Sequence, residues 1–441
     1  MQSALETPRS DEQRKLINAW ALYDWANSSY ALIITSAIFP LYYVLVTSQG
    51  NSDRVNLWGM NFVNTTLYSY ALAFAYLVIA ALSPLLSGIA DYGGNKKQFM
   101  QFFCYLGSSS CALMYFFTQQ SLGLGIILVI LACIGFSGST VFYNAYLPEI
   151  AEPKLQDYVS AKGFGMGYLG SVILMGIDLS MFLMPQWYGG ISVAMASRLS
   201  FVSVGVWWLA FAQVTFYYLP KTRPKHLLNL PWTAYIWNGY KELIKVWHKL
   251  KATKGLRSFL CAFFVYNMGV QTVLLVATLF ATKEVHMESS QLIINIMLIQ
   301  FLALAGAYLF SYISKIKGNI FSLKLAVSIW AVGCMGGYYI YTPNQFYVAS
   351  IVVGLVMGGI QALSRSTYSK MLPLTMDHAA FFSFYDVCEK IGVVLGMALF
   401  GFLESYTSSM RKPILSLIGF FILGFFLLTL IPRDHKLRGS R

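Results

Sequence analysis

The stretch from Gln98 to Pro148 reads QFMQFFCYLGSSSCALMYFFTQQSLGLGIILVILACIGFSGSTVFYNAYLP, 51 residues without an Asp, Glu, Lys, Arg or His. An α-helix needs about 20 such residues to cross about 30 Å of hydrocarbon. The polar segment Thr118-Gln119-Gln120-Ser121 divides the stretch near its middle. The stretch therefore predicts two membrane helices joined by a tight turn.

The rest of the chain has the same character. Two more uncharged runs extend from Trp25 to Ser52 and from Val55 to Ala90. Of the 441 residues, 57% are hydrophobic and only 11% are charged, whereas a soluble domain carries about 25% charged residues. One water-soluble core cannot hide so much apolar surface, so we expect a multi-pass membrane protein, in the inner membrane if it is bacterial. The first span is expected to be uncleaved, because a short polar start leads directly into it.

The apolar segments predict twelve spans, which places both termini on the same side of the membrane. We place them at about 19–46, 66–90, 98–117, 122–147, 159–183, 199–219, 257–281, 289–313, 321–341, 345–369, 380–403 and 413–431. Of the 31 Lys and Arg, 25 lie in or beside the termini and the even-numbered loops. Positive charge concentrates on the cytoplasmic side, so both termini are predicted to be cytoplasmic. The net charge of +13 is mainly this topological signal, and nucleic acid is not an expected partner.

The longest connection between spans divides the chain into two halves. We predict a cytoplasmic tail at 1–15, a six-helix bundle at 16–220, a cytoplasmic linker at 221–256, a second six-helix bundle at 257–431 and a tail at 432–441. Within the linker, apolar residues recur at helical spacing: Ile236, Tyr240, Leu243, Trp247 and Leu250. Lysines lie beside this stripe, which predicts a basic amphipathic helix on the anionic leaflet. A plain linker helix with a solvated basic face is the alternative.

An internal repeat supports the division into halves. The pattern in Ser87–Asn95 after the second span returns in Ser311–Asn319 after the eighth, 224 residues later. Leu147-Pro148 ends the fourth span, and Leu372-Pro373 ends the tenth, 225 residues later. Matching offsets with matching topology favour two pseudo-symmetric bundles that arose by duplication. The predicted fold class is therefore an all-α membrane protein of two six-helix bundles.

Charged residues inside spans are the first candidates for a functional site, because each costs roughly 3 kcal/mol at the bilayer centre. Asp386, Glu389 and Lys390 lie on one broad face of the eleventh span, with Lys390 about 15 Å from its cytoplasmic end. In one interpretation Lys390 binds an anionic substrate group, and Glu389 or Asp386 binds a coupling proton or a substrate ammonium. In the other, the three residues are a structural salt bridge. The i,i+4 pair of Asp386 and Lys390 leaves Glu389 without a predicted partner.

Other polar residues in the spans are weaker candidates. Asp24, near the cytoplasmic end of the first span, is expected to bind a proton or to act in a gate. The alternative is a first-turn acid near the membrane surface that faces Lys162 or Arg365. Arg365 is expected to act as a gate or an interface anchor, and Asp178 to lie at the outer membrane surface. Four uncharged residues are expected to line the cavity or to form interhelical hydrogen bonds: Asn27, Asn144, Gln361 and Tyr385.

The glycines of the fifth span fit a nucleotide-binding pattern only superficially. Gly165, Gly167 and Gly170 match G-x-G-x-x-G, but no strand precedes them, so dinucleotide binding is not expected. Gly163 and Gly167 instead predict close packing of this span against a neighbouring helix.

The loop after the second span resembles the signature of the major facilitator superfamily, G-x-x-x-D-R-x-G-R-R. Asp91, Gly94 and Lys96 match it, whereas Ser87 and Tyr92 depart from it. The resemblance implies a gating clamp on a neighbouring helix end; a charged anchor with a glycine turn is the alternative. Trp20–Ser28 and Gln361–Ser366 are similar to signatures of the vacuole-effluxer-like branch, whose fungal members are linked to amino-acid efflux.

The sequence therefore predicts a secondary-active transporter of the major facilitator fold, working as a monomer without a cofactor. The resemblance implies a small polar substrate with amino acids favoured, and the buried carboxylates make proton coupling a hypothesis. The alternatives on the same fold are a translocator of lipids or other amphiphiles and a membrane sensor that transports nothing. An enzyme is not expected, because the five histidines fall in predicted loops or the tail and neither H-E-x-x-H nor G-x4-G-K-[ST] occurs.

Overall fold

The computed structural model describes residues 10–48, 54–220, 232–407 and 409–432, and these are mostly helical. Its helices are α1 (Asp11–Ser29), α2 (Ile38–Thr47), α3 (Asn64–Gly93), α4 (Lys96–Leu113), α5 (Leu122–Ala145), α6 (Leu147–Ile150), α7 (Gln156–Leu183), α8 (Val193–Tyr218), α9 (Trp232–Ala252), α10 (Lys254–Lys283), α11 (Ser289–Lys317), α12 (Asn319–Gly337), α13 (Pro343–Met371), α14 (His378–Thr407) and α15 (Arg411–Thr429). A two-stranded antiparallel hairpin, β1 (Arg54–Leu57) and β2 (Met60–Val63), adds an element that the all-α prediction lacked.

The first span is longer than predicted. Ser10 caps α1 by accepting a hydrogen bond from the backbone N–H of Gln13, so the helix begins inside the segment assigned to the N-terminal tail. A π-helical segment, Tyr30–Ala37, joins α1 to α2. Such wide turns are rare and are often found at functional sites. Similarly, α10 begins at Lys254, three residues before the predicted start of the second bundle at 257.

Ten helical segments among the described residues are long and apolar enough to cross a membrane. The two other long helices outside the linker, α4 and α14, are more polar. The first begins with two lysines, and the second carries Asp386, Glu389 and Lys390. The helical membrane fold is confirmed. The count of twelve spans and the cytoplasmic termini are compatible with the structure and stay predictions.

The helices pack into two bundles. In the N-terminal bundle, α1 packs on α7 and α8, and α4 packs on α5 and α8; in the C-terminal bundle, α11 packs on α13, and α15 packs on α10 and α12. The main contacts between the bundles are those of α7 with α11 and α13, and of α14 with α3 and α5. We call the end of the molecule that carries α9 the linker side. It is the side predicted to be cytoplasmic.

Small residues allow the closest helix contacts. Gly167 of α7 lies against the Ser28 hydroxyl and the Asp24 carbonyl of α1, which confirms the close packing predicted from the glycines of this span. In the C-terminal bundle, a side chain at Gly306 of α11 would overlap the carbonyl group of Leu355 in α13. These two backbones therefore touch directly.

The linker helix α9 packs on α3, a contact that the sequence did not predict. Its buried residues are Gly239, Glu242, Val246 and Leu250, and Gly239 lies against the backbone of α3 at Gly88. Of the predicted apolar stripe only Leu250 is buried; Tyr240 and Trp247 are exposed, and the side chain of Ile236 lies outside the described residues. The contact with α3 is made through a glycine, which adds nothing to an apolar pattern. The predicted position of the apolar stripe on the membrane surface stays a prediction.

The contact at Gly306 can be tested by adding one methyl group. We expect Gly306→Ala to lower the melting temperature of the detergent-purified protein, because an overpacked contact costs about 1–3 kcal/mol. Gly333→Ala in α12 is the matched control, since nothing lies within 4 Å of a side chain there. Equal melting temperatures of the two variants would contradict the direct backbone contact between α11 and α13.

Candidate functional site

Arg365 of α13 reaches across to the N-terminal bundle on the linker side. Its Nη1 donates hydrogen bonds to Asp24 Oδ2 at 3.1 Å and to Asn144 Oδ1 at 3.2 Å. Its Nε and Nη2 donate to the hydroxyl and the carbonyl oxygen of Ser160 at 2.9 and 2.8 Å. One guanidinium thereby binds three helices of the other bundle, α1, α5 and α7. A charge buried as deeply as this one, 3% exposed, requires such complete pairing.

Aromatic rings enclose the same ion pair. The guanidinium carbon lies 4.1 Å from the ring centre of Phe164 and 4.9 Å from that of Trp20. The Tyr143 hydroxyl donates to Asp24 Oδ2 at 2.8 Å. We call Arg365, Asp24, Asn144, Ser160 and Tyr143 the Arg365 cluster. Of the two partners expected for Asp24, the structure places Arg365 beside it, whereas Lys162 donates to Asn18.

The C-terminal end of α3 binds the start of α14. Asp91 accepts hydrogen bonds from the backbone N–H groups of Ala380 at 2.8 Å and Ala379 at 3.3 Å. A carboxylate suits this place, because free N–H groups and the helix dipole make a helix N-terminus electropositive. Gly94 takes the left-handed conformation that ends α3, with φ of 67°.

Lys96 supports this contact from the side. It forms a salt bridge with Glu149, which also bonds to His378 Nδ1 at 2.8 Å, at the first residue of α14. Three of the predicted gating residues, Asp91, Gly94 and Lys96, therefore lie together at the boundary between the bundles. We call the contacts of Asp91, Glu149 and Lys96 at the start of α14 the first seam between the bundles.

A second seam joins α7 to α11, α12 and α13 on the other side of the Arg365 cluster. Asp157, near the start of α7, accepts hydrogen bonds from Lys370 at 2.6 Å, Asn319 at 2.8 Å and Ser314 at 2.9 Å. The two seams are related by the internal repeat, since each joins the start of one helix (α14 or α7) to the end of another (α3 or α11). In the first seam the acid, Asp91, lies within the repeated segment Ser87–Asn95, and in the second the acid, Asp157, lies on the helix that packs against the repeated segment.

The interbundle hydrogen bonds extend about halfway through the membrane. The Tyr168 hydroxyl donates to Gln361 Oε1 at 2.6 Å. Tyr168 is twelve residues from the start of α7, about 18 Å at helical rise, and the other bonds described above lie nearer to the linker side. The structure is therefore closed on the linker side.

Asp386, Glu389 and Lys390 of α14 form one cluster at the boundary with α3, which we call the triad. Lys390 Nζ lies 2.9 Å from Glu389 Oε1 and 3.5 Å from Asp386 Oδ1. It also lies 5.7 Å from the ring centre of Tyr76 in α3. The expectation that Glu389 lacks a partner was wrong, because a lysine side chain is long enough to reach the neighbouring residue as well as the one a turn away.

Helical geometry shows which way the triad faces. The exposed residues Ile391, Leu395 and Leu399 form the outer stripe of α14. At 3.6 residues per turn, Glu389 lies on roughly the opposite side of the helix. Lys390 is twelve residues from the start of α14, about 18 Å along the axis. The triad therefore lies near mid-membrane depth and faces the space between the helices.

The remaining candidates divide between the two clusters and the bundle cores. Tyr385 stacks on Phe263 with ring centres 4.1 Å apart, one turn before Glu389. Asn27 is buried in α1, and the structure places it in neither the Arg365 cluster nor the triad. Asp178 is fully buried and accepts a hydrogen bond from Ser203 at 2.8 Å. It lies five residues before the end of α7, and its expected position at the outer membrane surface stays a prediction.

Several residues of these clusters were missed by the sequence analysis. Ser160 and Tyr143 are uncharged residues of predicted spans, and nothing in their local sequence marks them as partners of a buried ion pair. Asp157 and Lys370 fall just outside predicted spans, where charged residues are ordinary.

Comparisons with known proteins agree with this architecture. Residues 12–440 match the family model described as vacuole effluxer Atg22 like. The chain is 31% identical to the uncharacterized MFS-type transporter YxiO of Bacillus subtilis, over 95% of each chain. It is 27% identical to autophagy-related protein 22 of Yarrowia lipolytica, over 84% of this chain and 76% of that protein.

Solved structures show the same fold. The proton:xylose symporter XylE superposes with a TM-score of 0.71 at 10% identity, covering 98% of this chain and 99% of that one. The fucose:proton symporter FucP of E. coli superposes with a TM-score of 0.67 at 13% identity, covering 96% and 98%. The protein is a multi-pass membrane transporter and not an enzyme, and it belongs to the vacuole effluxer Atg22-like family of the major facilitator superfamily.

Proposed function

We propose that the protein is a secondary-active transporter of a small polar metabolite, with amino acids the favoured class, and that it works by alternating access. The position of the triad is the observation that supports this proposal most directly. Its charges lie near mid-membrane depth and face the space between the helices, at the boundary between the two bundles. Transporters with paired repeats bind substrate at this place.

The Arg365 cluster and the two seams are proposed to form the gate on the linker side. All of them join one bundle to the other, so the bundles, predicted at 16–220 and 257–431, cannot separate on this side without breaking them. Charged contacts that form in one state and break in the other are a common means of switching between two states.

The alternative role for the triad is a salt bridge that only holds α14 in place. Such a bridge does not need a carboxylate that is partly open to the space between helices. The side chain of Glu389 is 27% exposed, compared with 8% for Lys390 and 7% for Asp386. This difference supports a binding role for the triad.

Proton coupling is part of the proposal. Two carboxylates that share one lysine in a membrane interior are suited to exchange a proton during a cycle. Flux of labelled amino acids into proteoliposomes, with and without a pH gradient, tests both substrate class and coupling. Stimulated flux is expected. A protein that scrambles labelled phospholipid and moves no amino acid would contradict the proposal.

The first prediction concerns Lys390. We expect Lys390→Ala to abolish amino-acid flux, because two carboxylates would then share the site without a cation. Lys390→Arg keeps the charge and should retain measurable flux. Membrane insertion is checked by the amount of monodisperse protein after purification. Normal flux kinetics in Lys390→Ala would overturn the role of the triad.

The second prediction concerns the gate. A side chain at Gly163 would lie 2.6 Å from Asp24 Oδ2 and 2.9 Å from Arg365 Nη2, so Gly163→Ala crowds the ion pair. An overpacked contact costs about 1–3 kcal/mol, which is enough to open the linker side several-fold more often. To detect opening, the buried Ala362 is replaced by cysteine, and an impermeant maleimide is added on the linker side. Mass spectrometry then measures the fraction of position 362 that is labelled.

Gly176→Ala on the same helix is the matched control, because nothing lies within 4 Å of a side chain there. We expect labelling at position 362 to rise only in Gly163→Ala. Equal labelling in the two variants would show that the ion pair does not hold the linker side closed.

A further inference from the structure

The triad carries one more negative charge than positive charge. Asp386 and Glu389 contribute two carboxylates, and Lys390 contributes one ammonium group. Among the residues that the structure describes, no second cation is paired with either carboxylate. An uncompensated charge at this depth is costly, so the site is built to receive one more positive charge.

Lys390 is not available to bind an anion. Its ammonium group already contacts both carboxylates and is 8% exposed. The ring of Tyr76 lies on its α3 side, 5.7 Å away. A substrate carboxylate could reach Lys390 only by displacing Glu389, which would add a third negative group to the site. Electrostatics therefore disfavours an anion here.

The two carboxylates are the groups of the triad that can accept further hydrogen bonds. Asp386 Oδ2 is buried and has no hydrogen-bond partner in the described part of the chain. Within the same part, the partner of Glu389 is Lys390 alone, and the 27% exposed side chain of Glu389 lies on the side of α14 away from the outer stripe. A carboxylate offers about four acceptor positions, so each of these groups can bind a further donor.

One aromatic ring beside the triad favours the same charge. Tyr76 stands across the bundle boundary, and its ring centre lies 5.7 Å from Lys390 Nζ. The faces of aromatic rings attract cations, and the attraction increases when water is excluded. The charge balance and this wall of the site therefore both select a positive group.

We propose that Glu389 binds the ammonium group of the substrate, with Asp386 completing the charge balance, and that Lys390 is a positioning residue that holds the two carboxylates. This inference rests on the proposed transport function and specifies its substrate: an amine or a zwitterion whose amino group is essential. The carboxylate of an amino acid is dispensable at this site.

Three probes with the same aromatic side chain separate the two ends of an amino acid: phenylalanine, 2-phenylethylamine and 3-phenylpropanoate. Each is titrated into the detergent-purified full chain, and binding is measured as a rise in melting temperature. We expect the amine and the amino acid to stabilise the protein and the acid to have no effect. If the amine does not stabilise the wild-type protein, the inference is overturned. A site that binds only protons would give this result.

Substitutions on the same helix locate the binding group. Glu389→Gln should weaken amine binding by about tenfold or more, because the ammonium group loses the negative charge of its partner and keeps only a neutral acceptor. Glu389→Asp keeps the charge and should retain binding. Glu404→Gln is the control, since Glu404 pairs with Lys283 towards the far end of α14 from the linker side. Unchanged amine affinity in Glu389→Gln would place the ammonium elsewhere.

These binding measurements are independent of transport. Amine binding without flux in proteoliposomes would reject the proposed transport function and leave the cation site standing. Flux of phenylalanine that 3-phenylpropanoate inhibits and 2-phenylethylamine does not would support transport and overturn the cation site.

Discussion

A charge removed from water must find its partner inside the bilayer, and this constraint organises the structure. Arg365 finds its partners on the opposite bundle, whereas Lys390 finds its partners on its own helix. The first arrangement is lost when the bundles separate, and the second survives any rigid movement of α14. These two buried cations are therefore suited to different tasks. Arg365 stabilises the state that is closed on the linker side, and Lys390 maintains the geometry of the triad.

The internal repeat explains why the linker side closes at two places. Each copy supplies a long helix that ends at this side, α3 or α11, and a helix of the other bundle starts beside it. Asp91 and Asp157 provide the acid at the two seams. The Arg365 cluster lies between them, and the Tyr168–Gln361 bond marks the deepest closure. Closure is thus distributed over several polar contacts, each of which water can replace when the bundles part.

Much of the architecture could be predicted from the sequence, because charge and hydrophobicity are arranged over whole segments. The helical membrane fold, the close packing at Gly167 and the depth of the triad follow from such patterns. Individual partners could not be predicted in the same way. Asp24 had two possible cations, and Glu389 gained a partner through the flexible length of Lys390. Asp157 lay in a predicted loop, and the face of α9 was set by Gly239, which leaves no apolar signal.

The central claim is that charge pairing across the bundles holds the linker side closed. The most direct test measures the distance between spin labels at Lys154→Cys and Lys317→Cys, two exposed positions on opposite bundles, with the exposed Cys261 replaced by serine. Asp24→Asn leaves Arg365 without its ionic partner, so the distance distribution should gain a longer component that the parent protein lacks. Identical distributions with and without Asp24→Asn would contradict the account.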